Sequence, residues 1–213
     1  MIVTDAVEAY LLESRAAPDP VLAEMEAHAE RDGIPIVVPV TGALLQVLTA
    51  AAGARRVVEV GTAIGVSTLH IARALPDGGE IVSFEVDEQR HLAAGGYLER
   101  AGVADRADLR LQDAGEGLAG LDRDSFDMAF LDGLKGDYPR HLELAIPLLR
   151  VGGTIVVDNT LLSGTVAEGR PAAHWTQEAV TTMREFNAAL LGREDMHSVL
   201  LPVGDGVIVA VRR

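Results

Sequence analysis

The chain has 213 residues, 48% of them apolar, no cysteine and a formal net charge of −14. The length and apolar content suit one domain with a sizeable core over residues 1–213, and the missing cysteine excludes disulfides, thiolate metal sites and a cysteine nucleophile. The acidity disfavours non-specific binding to nucleic acid or anionic membranes, and 4% aromatic content leaves few platforms for stacking single-stranded bases.

The stretch from Met1 to Glu8 has neither a basic n-region nor a long apolar run, so no signal peptide is expected. No apolar run reaches the length of a membrane span, and a cytoplasmic location is the simplest expectation. The spacing predicts a helix over 4–14, with Thr4 as its cap and Val7, Tyr10 and Leu11 on one face. After Pro18 and Pro20, residues 21–30 read as a second helix stopped near Gly33. The run 34–40 contains Pro35 and Pro39, cannot be a central strand, and is expected to be an extended connector. Residues 41–52 read as a third helix with Leu44, Leu45 and Leu48 on its apolar face, completing a helical cap over 1–52.

Next comes the stretch Val57-Val58-Glu59-Val60-Gly61-Thr62-Ala63-Ile64-Gly65, an apolar β-branched strand breaking into a glycine turn. It runs into helical spacing from Val66 to Leu75. Strand, glycine turn and helix open a nucleotide-type binding unit. A dinucleotide fingerprint needs G-x-G-x-x-G, however, and here Ala63 replaces the middle glycine. Glu59 at the strand end would repel a pyrophosphate and attract a cationic ligand. S-adenosylmethionine carries an ammonium and a sulfonium and no phosphate, so the turn reads as a methyl-donor loop. A tight turn with no ligand is the competing reading.

The pattern then repeats. Strands are predicted over 80–85, 107–112 (a weaker one), 125–131 and 153–157, with helices over 88–101 and 138–149. A helix over 178–191 precedes two strands, 198–202 and 207–211, joined by Gly204-Asp205-Gly206, a hairpin signal. The expected fold is α/β: a Rossmann-like, doubly wound, mainly parallel seven-stranded sheet over 53–213. The C-terminal hairpin would add an antiparallel strand at its edge.

Ligands of open α/β sheets bind outside the carboxyl ends of the strands. Each of the first five predicted strands ends in an acid there: Glu59, Glu85, Asp113, Asp132 and Asp158, the last followed by Asn159. Glu85 lies about 20 residues beyond the glycine turn, where a carboxylate accepts hydrogen bonds from ribose hydroxyls. Asp113 is placed to accept from the amine of adenine, with the Ala114 amide beside it. Asp132, Asp158 and Asn159 offer three hard oxygens and no nitrogen or sulfur, which suits Mg²⁺ (or Mn²⁺, Ca²⁺); helix capping is the competing reading. Lys135, beside a divalent cation and a sulfonium, has its neutral form favoured by like charge and becomes a candidate general base; a surface lysine paired with Asp137 competes. The six histidines form no H-x-x-x-H or H-E-x-x-H, no G-x-S-x-G elbow occurs, and Trp175 stands alone as a core, lid or stacking residue.

These residues resemble the cation-dependent O-methyltransferases that include the catechol and caffeoyl-CoA enzymes and many small bacterial relatives. The family's D-x-x-K-x-x-Y is present as Asp132, Lys135 and Tyr138, and its L-L-x-x-G-G-x-I-x-x-D-N-x-x-x-x-G runs from Leu148 through Asp158 and Asn159 to Gly164. The resemblance implies donor contacts from Glu59, Gly61, Ser67, Glu85 and Asp113. Thr62, Ala63, Gly65 and Val86 on the same turns belong to the expected cofactor-binding set, as do Val40, Ala114, Asp132 and Tyr138. It further implies metal ligation by Asp132, Asp158 and Asn159, Lys135 and Asp132 as catalytic residues, and a homodimer. Many bacterial members carry an acid at the position of Leu134 and a tryptophan at that of Leu162. Leucine at both implies altered charge near donor or metal and the loss of an aromatic wall from the acceptor site.

The expected reaction is direct transfer of the sulfonium methyl to a hydroxyl of a small catechol-like or other vicinal-oxygen acceptor, aligned by the cation, with Lys135 taking the proton. One alternative keeps the chemistry but uses a 5-hydroxyuridine of tRNA, against which the acidity and the lack of a basic cluster weigh. Another is a donor-binding protein without catalysis, and a dehydrogenase is more distant still.

Overall fold

The computed structural model of the chain describes residues 4–172 and 174–213. Residues 1–3, on which part of the leader reading falls, lie outside the described residues. Helix α1 (Asp5–Glu13) starts where the Thr4 hydroxyl accepts from the Val7 amide, and α2 (Pro20–Asp32) where the Asp19 carboxylate accepts from the amides of Val21 and Leu22. Gly33 closes α2 in the left-handed conformation, at φ +64°. The extended connector ends at Val38, two residues earlier than expected. Pro39, expected in the connector, instead opens α3 (Pro39–Ala51), at a position where its fixed φ fits and its missing N–H costs nothing.

Strands and helices then alternate as β1 (Arg56–Val60), α4 (Val66–Ala74), β2 (Glu80–Glu85), α5 (Glu88–Arg100), β3 (Ala107–Leu111), α6 (Ala114–Ala119), β4 (Phe126–Leu131), α7 (Tyr138–Ala145) and β5 (Leu149–Val157). The chain continues through α8 (Thr165–Glu168) and α9 (Gln177–Leu191) into β6 (Met196–Leu201) and β7 (Val207–Arg212). One seven-stranded sheet results, in the order β3-β2-β1-β4-β5-β7-β6. All pairings among β1 to β5 are parallel, and β7 runs antiparallel to both β5 and β6. The hairpin is therefore present, but its antiparallel strand lies inside the sheet and β6 forms the edge.

Helices cover both faces, which explains the nearly continuous apolar run of β1. Val58 and Val60 pack on one face with Phe84, Leu142 and Phe186 beneath α6, α7 and α9. Val57 packs on the other with Leu45, Leu69 and Leu98, beneath α2 to α5. The outermost parallel strand, β3, has no fully buried residue, and its sequence signal is correspondingly weak.

Two boundaries differ from the sequence expectation for one reason. The helix expected to reach Leu149 stops at Ala145, because Pro147 cannot donate; Ile146–Leu148 form a 3₁₀ turn and Leu149 already belongs to β5. The short helices α6 and α8 were not expected, since neither is long enough to show a helical period. Among the described residues no helix is long and apolar enough to cross a membrane.

At the amino ends of the strands Asp127 ties three segments together. Its carboxylate accepts from the amides of Arg55 and Arg56 at 2.7 and 2.9 Å and from Arg150 Nε at 2.6 Å. Burial opposes its ionisation, but the Arg150 guanidinium and the two amides outweigh burial and hold the carboxyl below its usual range. A carboxyl depressed in the folded state stabilises above its unfolded pKa, and that stability is lost as pH falls through the folded pKa. Asp127→Ala is expected to cost about 1–3 kcal/mol in urea unfolding at neutral pH, with the difference from wild type shrinking below about pH 4.

Candidate active site

A cavity of about 660 Å³ opens at the carboxyl ends of β1, β2 and β4. It lies where the strand order reverses around β1, the position expected of a ligand site in an open α/β sheet. Its floor depends on Gly61, at φ +94°: a Cβ there would stand 2.2 Å from the Asp132 carbonyl oxygen. The turns after β1 and β4 touch through that missing side chain. Ala63, where a dinucleotide fingerprint has glycine, also takes a left-handed φ of +46°. Its amide donates to Glu85 Oε2 at 2.7 Å. Glu85 Oε1 accepts from the amides of Val86 and Asp87 at 2.8 and 2.9 Å, so this carboxylate joins the turns after β1 and β2 while facing the cavity.

Of the expected donor residues, Gly61, Thr62, Ala63 and Ser67 line one side, and Glu85, Val86, Asp113 and Ala114 another. Asp113 caps α6, accepting from the Glu116 amide at 3.0 Å, with Arg140 Nη2 at 3.7 Å. Four expected positions are not brought to the wall. Gly65, at φ +90°, lets the first turn of α4 pack on Ala94. Val40 lies in α3, and the cap reaches the cavity instead through Pro35, Ile36 and Val37. Glu59 is wholly buried below the turn, where Thr68 Oγ1 and Ser83 Oγ donate to its Oε2 at 2.5 Å each and its Oε1 has no partner. Burial pushes that carboxyl up against the pull of the Ser67, Ser83 and Thr68 hydroxyls. Tyr138 is also wholly buried, edge-on to Phe186.

Beside the cavity the second acidic group converges on one cation. Lys135 Nζ lies 3.0 Å from Asp132 Oδ1, 2.6 Å from Asn159 Oδ1, 2.7 Å from the Tyr138 hydroxyl and 3.2 Å from the Gly133 carbonyl. An ammonium has three hydrogens for these four oxygens. Asp158 is buried beneath, its Oδ1 accepting from the Asn159 amide at 2.8 Å, and burial plus the charge of Asp132 pushes its carboxyl up to about 7. Burial and the same two carboxylates push the Tyr138 hydroxyl well above 10, so it stays protonated and donates to the Asp158 carbonyl at 3.2 Å. Among the described residues no three His, Cys, Asp or Glu side chains are placed to hold a metal ion; the expected set is two carboxylates and an amide oxygen.

The loop after β5 that carries Asn159 is strained, with Asn159, Leu162 and Ser163 at φ +56°, +46° and +55°. The β6–β7 turn splints it. The amides of Thr160 and Leu161 donate to the carbonyls of Gly206 and Asp205, both at 2.9 Å, and the Ser163 amide donates to Asp205 Oδ1. Asp205 gave only a turn signal in the sequence, because its partners lie more than forty residues upstream. Leu162, where the resemblance implied a lost aromatic wall, is fully buried in the core, and Phe84 and Trp175 are aromatic residues that line the cavity. Leu134 is the most exposed of the large apolar side chains described, at 77%, and lies on the rim. His141 on α7 also lines the cavity, a role with no motif to announce it.

Two solved structures share this architecture over nearly the whole chain. The O-methyltransferase TomG from Streptomyces achromogenes, in complex with S-adenosylmethionine, superposes with a TM-score of 0.83 at 31% identity, covering 97% of this chain and 96% of that one. An O-methyltransferase from Bacillus cereus, in complex with S-adenosylhomocysteine, gives 0.83 at 29% identity, with 98% and 97% covered. The fold is that of S-adenosylmethionine-dependent methyltransferases. Tricin synthase 1 of Oryza sativa subsp. japonica is 35% identical over 79% of this chain and 71% of its own length. The O-methyltransferase family model matches residues 13–213, and the chain belongs to that family: it is an S-adenosylmethionine-dependent O-methyltransferase.

Since any side chain at 61 must displace the Asp132 carbonyl, Gly61→Ala is expected to weaken S-adenosylhomocysteine binding about tenfold or more in calorimetry. The same variant is expected to lower stability by about 1–3 kcal/mol in thermal unfolding.

Proposed function

We propose that this O-methyltransferase acts on a hydroxyl of a small, flat acceptor with two adjacent oxygens, and that Asp132, Asp158 and Asn159 hold a divalent cation beside the donor. The observation that carries the metal reading is the convergence of Asp132 Oδ1 and Asn159 Oδ1 on one point filled by a cationic head, at 3.0 and 2.6 Å, above the buried Asp158. Oxygen-only donors suit Mg²⁺ (or Mn²⁺, Ca²⁺). When bound, the cation supplies electrostatic stabilisation and alignment of an acceptor oxyanion, and the donor supplies the methyl group.

The chain's own residues then have distinct tasks. The Glu85 carboxylate, already held by three backbone amides, faces the cavity with lone pairs left for the ribose hydroxyls. Asp113 and Ala114 take the adenine end. Glu59 sets the potential beneath the turn rather than touching the cavity directly. Lys135 donates to Asp132, Asn159 and Tyr138 as an ammonium in the free chain. With a divalent cation on Asp132 and Asn159 and a sulfonium nearby, like charge would favour its neutral amine, which would then take the acceptor's proton, since Tyr138 is kept protonated. Residues 1–52 belong to the same unit, contributing Ile36 and Val37, which with Trp175 and Leu134 make an apolar wall for an aromatic acceptor.

A small acceptor fits better than tRNA. The lining carries four carboxylates, Glu85, Asp113, Asp132 and Asp137, against Arg90 and Lys135, and a polyanion would be repelled. Similarity to tricin synthase 1, and to a TomG that takes part in tomaymycin synthesis, supports the same choice. The cytoplasm is the proposed compartment and a homodimer the proposed assembly, the latter from family resemblance; a sedimentation velocity run showing only monomer removes it.

Asp158→Ala and EDTA are each expected to lower methyl transfer to a catechol panel by at least about two orders of magnitude, with S-adenosylhomocysteine affinity essentially unchanged. Full activity in EDTA, without a Mn²⁺-binding signal in electron paramagnetic resonance, sinks the metal reading. Label from the donor appearing in bulk tRNA and not in the panel sinks the small acceptor, and no transfer to either favours a binding protein.

A further inference from the structure

The β6–β7 turn carries Asp205 between two glycines in the left-handed region, Gly204 at φ +53° and Gly206 at φ +84°. A Cβ on Gly204 would stand 2.7 Å from Val38 Cγ2 and 2.8 Å from Thr41 Oγ1. One on Gly206 would stand 2.7 Å from the Leu161 amide nitrogen. The turn is thus wedged between the start of α3 and the loop after β5. Asp205 is half-buried there, and its Oδ1 accepts from the Ser163 amide. Burial pushes this carboxyl up, while the Ser163 amide, the Lys135 charge and a hydrogen bond from the Asn159 side-chain amide pull it down.

What Asn159 offers the acidic cluster depends on which way its amide faces. One end is an oxygen that accepts, the other an NH2 that only donates, and the two have nearly the same shape. A half-turn of the amide therefore replaces a cation ligand by a group that repels cations. Oδ1 points to Lys135 Nζ at 2.6 Å, but Lys135 holds that orientation only while its ammonium occupies the place of the cation. The bonds from the amides of Thr160, Leu161 and Ser163 fix the loop backbone and leave the Asn159 side chain free to turn. A carboxylate on its far side, offering acceptors alone, is what selects the orientation. We propose, resting on the cation reading above, that Asp205 is a positioning residue: it takes the N–H end of the Asn159 amide and keeps Oδ1 turned toward Asp132. Partners of this kind are worth about 10–100-fold in metal affinity.

The test is the Mn²⁺ dissociation constant, by electron paramagnetic resonance, of the wild type, Asp205→Asn and Asp205→Ala, and of Asp205→Asn in an Asn159→Asp background. Asp205→Asn has the same size and keeps an oxygen for the Ser163 amide, but sets an NH2 against that of Asn159. It is expected to weaken Mn²⁺ about tenfold or more, with S-adenosylhomocysteine affinity unchanged. A carboxylate at 159 presents oxygen at both ends, so the same substitution is expected to cost little in the Asn159→Asp background. Lost charge or lost stability acts alike in both. Asp205→Ala removes the partner without adding a donor, is expected to lose less than Asp205→Asn, and carries the test if melting shows Asp205→Asn unfolded. Wild-type Mn²⁺ affinity in a folded Asp205 variant, or an equal loss in both backgrounds, overturns the inference. Failure of the wild type itself to bind Mn²⁺ removes the cation reading and this inference with it, before any variant is compared.

Discussion

Gly61 meeting the Asp132 carbonyl is the contact on which the rest of the site depends. Parallel pairing of β1 with β4 aligns Val60 with Leu131, so the next residue of each strand leaves the sheet at the same level. A 2.2 Å approach to a would-be Cβ leaves room for hydrogen alone. Through this contact the donor cavity and the acidic cluster share a wall: Asp132 closes the floor with its backbone and reaches the cluster with its side chain. The separation between the cavity and the acidic cluster is thus set by backbone, the stiffest part of the molecule.

Burying several carboxylates near one another is costly, and the fold meets that cost in three different ways. Glu59 is surrounded by hydroxyls from α4 and β2. Glu85 is held by the amides of two turns, an arrangement that leaves it facing the cavity. Asp132 faces the ammonium of Lys135, while Asp158 below it has one amide and little else. The most strained electrostatics therefore lies in the cluster beside the cavity, where a cationic ligand has the most to gain.

The loop that presents Asn159 does not hold its shape alone. Three non-glycine residues at positive φ persist because the β6–β7 turn and Asn187 of α9 bind its backbone from outside. This gives a reason for β7 to lie next to β5. Inserted there, the hairpin turn ends beside the loop leaving β5; at the sheet edge it would be a strand's width away.

Much of this was legible along the chain. The period of the apolar residues, the glycine turn and the Asp-Gly joint dictated the alternating elements, since burial and backbone conformation at those positions are decided by neighbours in sequence. Three of the strand-end acids, Glu85, Asp113 and Asp132, come to one cavity because parallel strands share one carboxyl end. Tertiary structure alone decided what each acid faces. Glu59 and Glu85 look alike in sequence, yet one lies sealed beneath the turn and the other opens on the cavity, because Glu59 stands within β1 level with Ser83 while Glu85 is the last residue of β2 and reaches the turns above. Pro39 reads as part of an extended connector until the helix it starts has somewhere to pack. Trp175, His141 and Asp205 carry no local signature; each enters the site from an element distant in sequence, and only the packing of α7, of the segment before α9 and of the final hairpin brings them there. Local periodicity can place a residue on an element, but which residues share a cavity depends on contacts between elements that no short window contains.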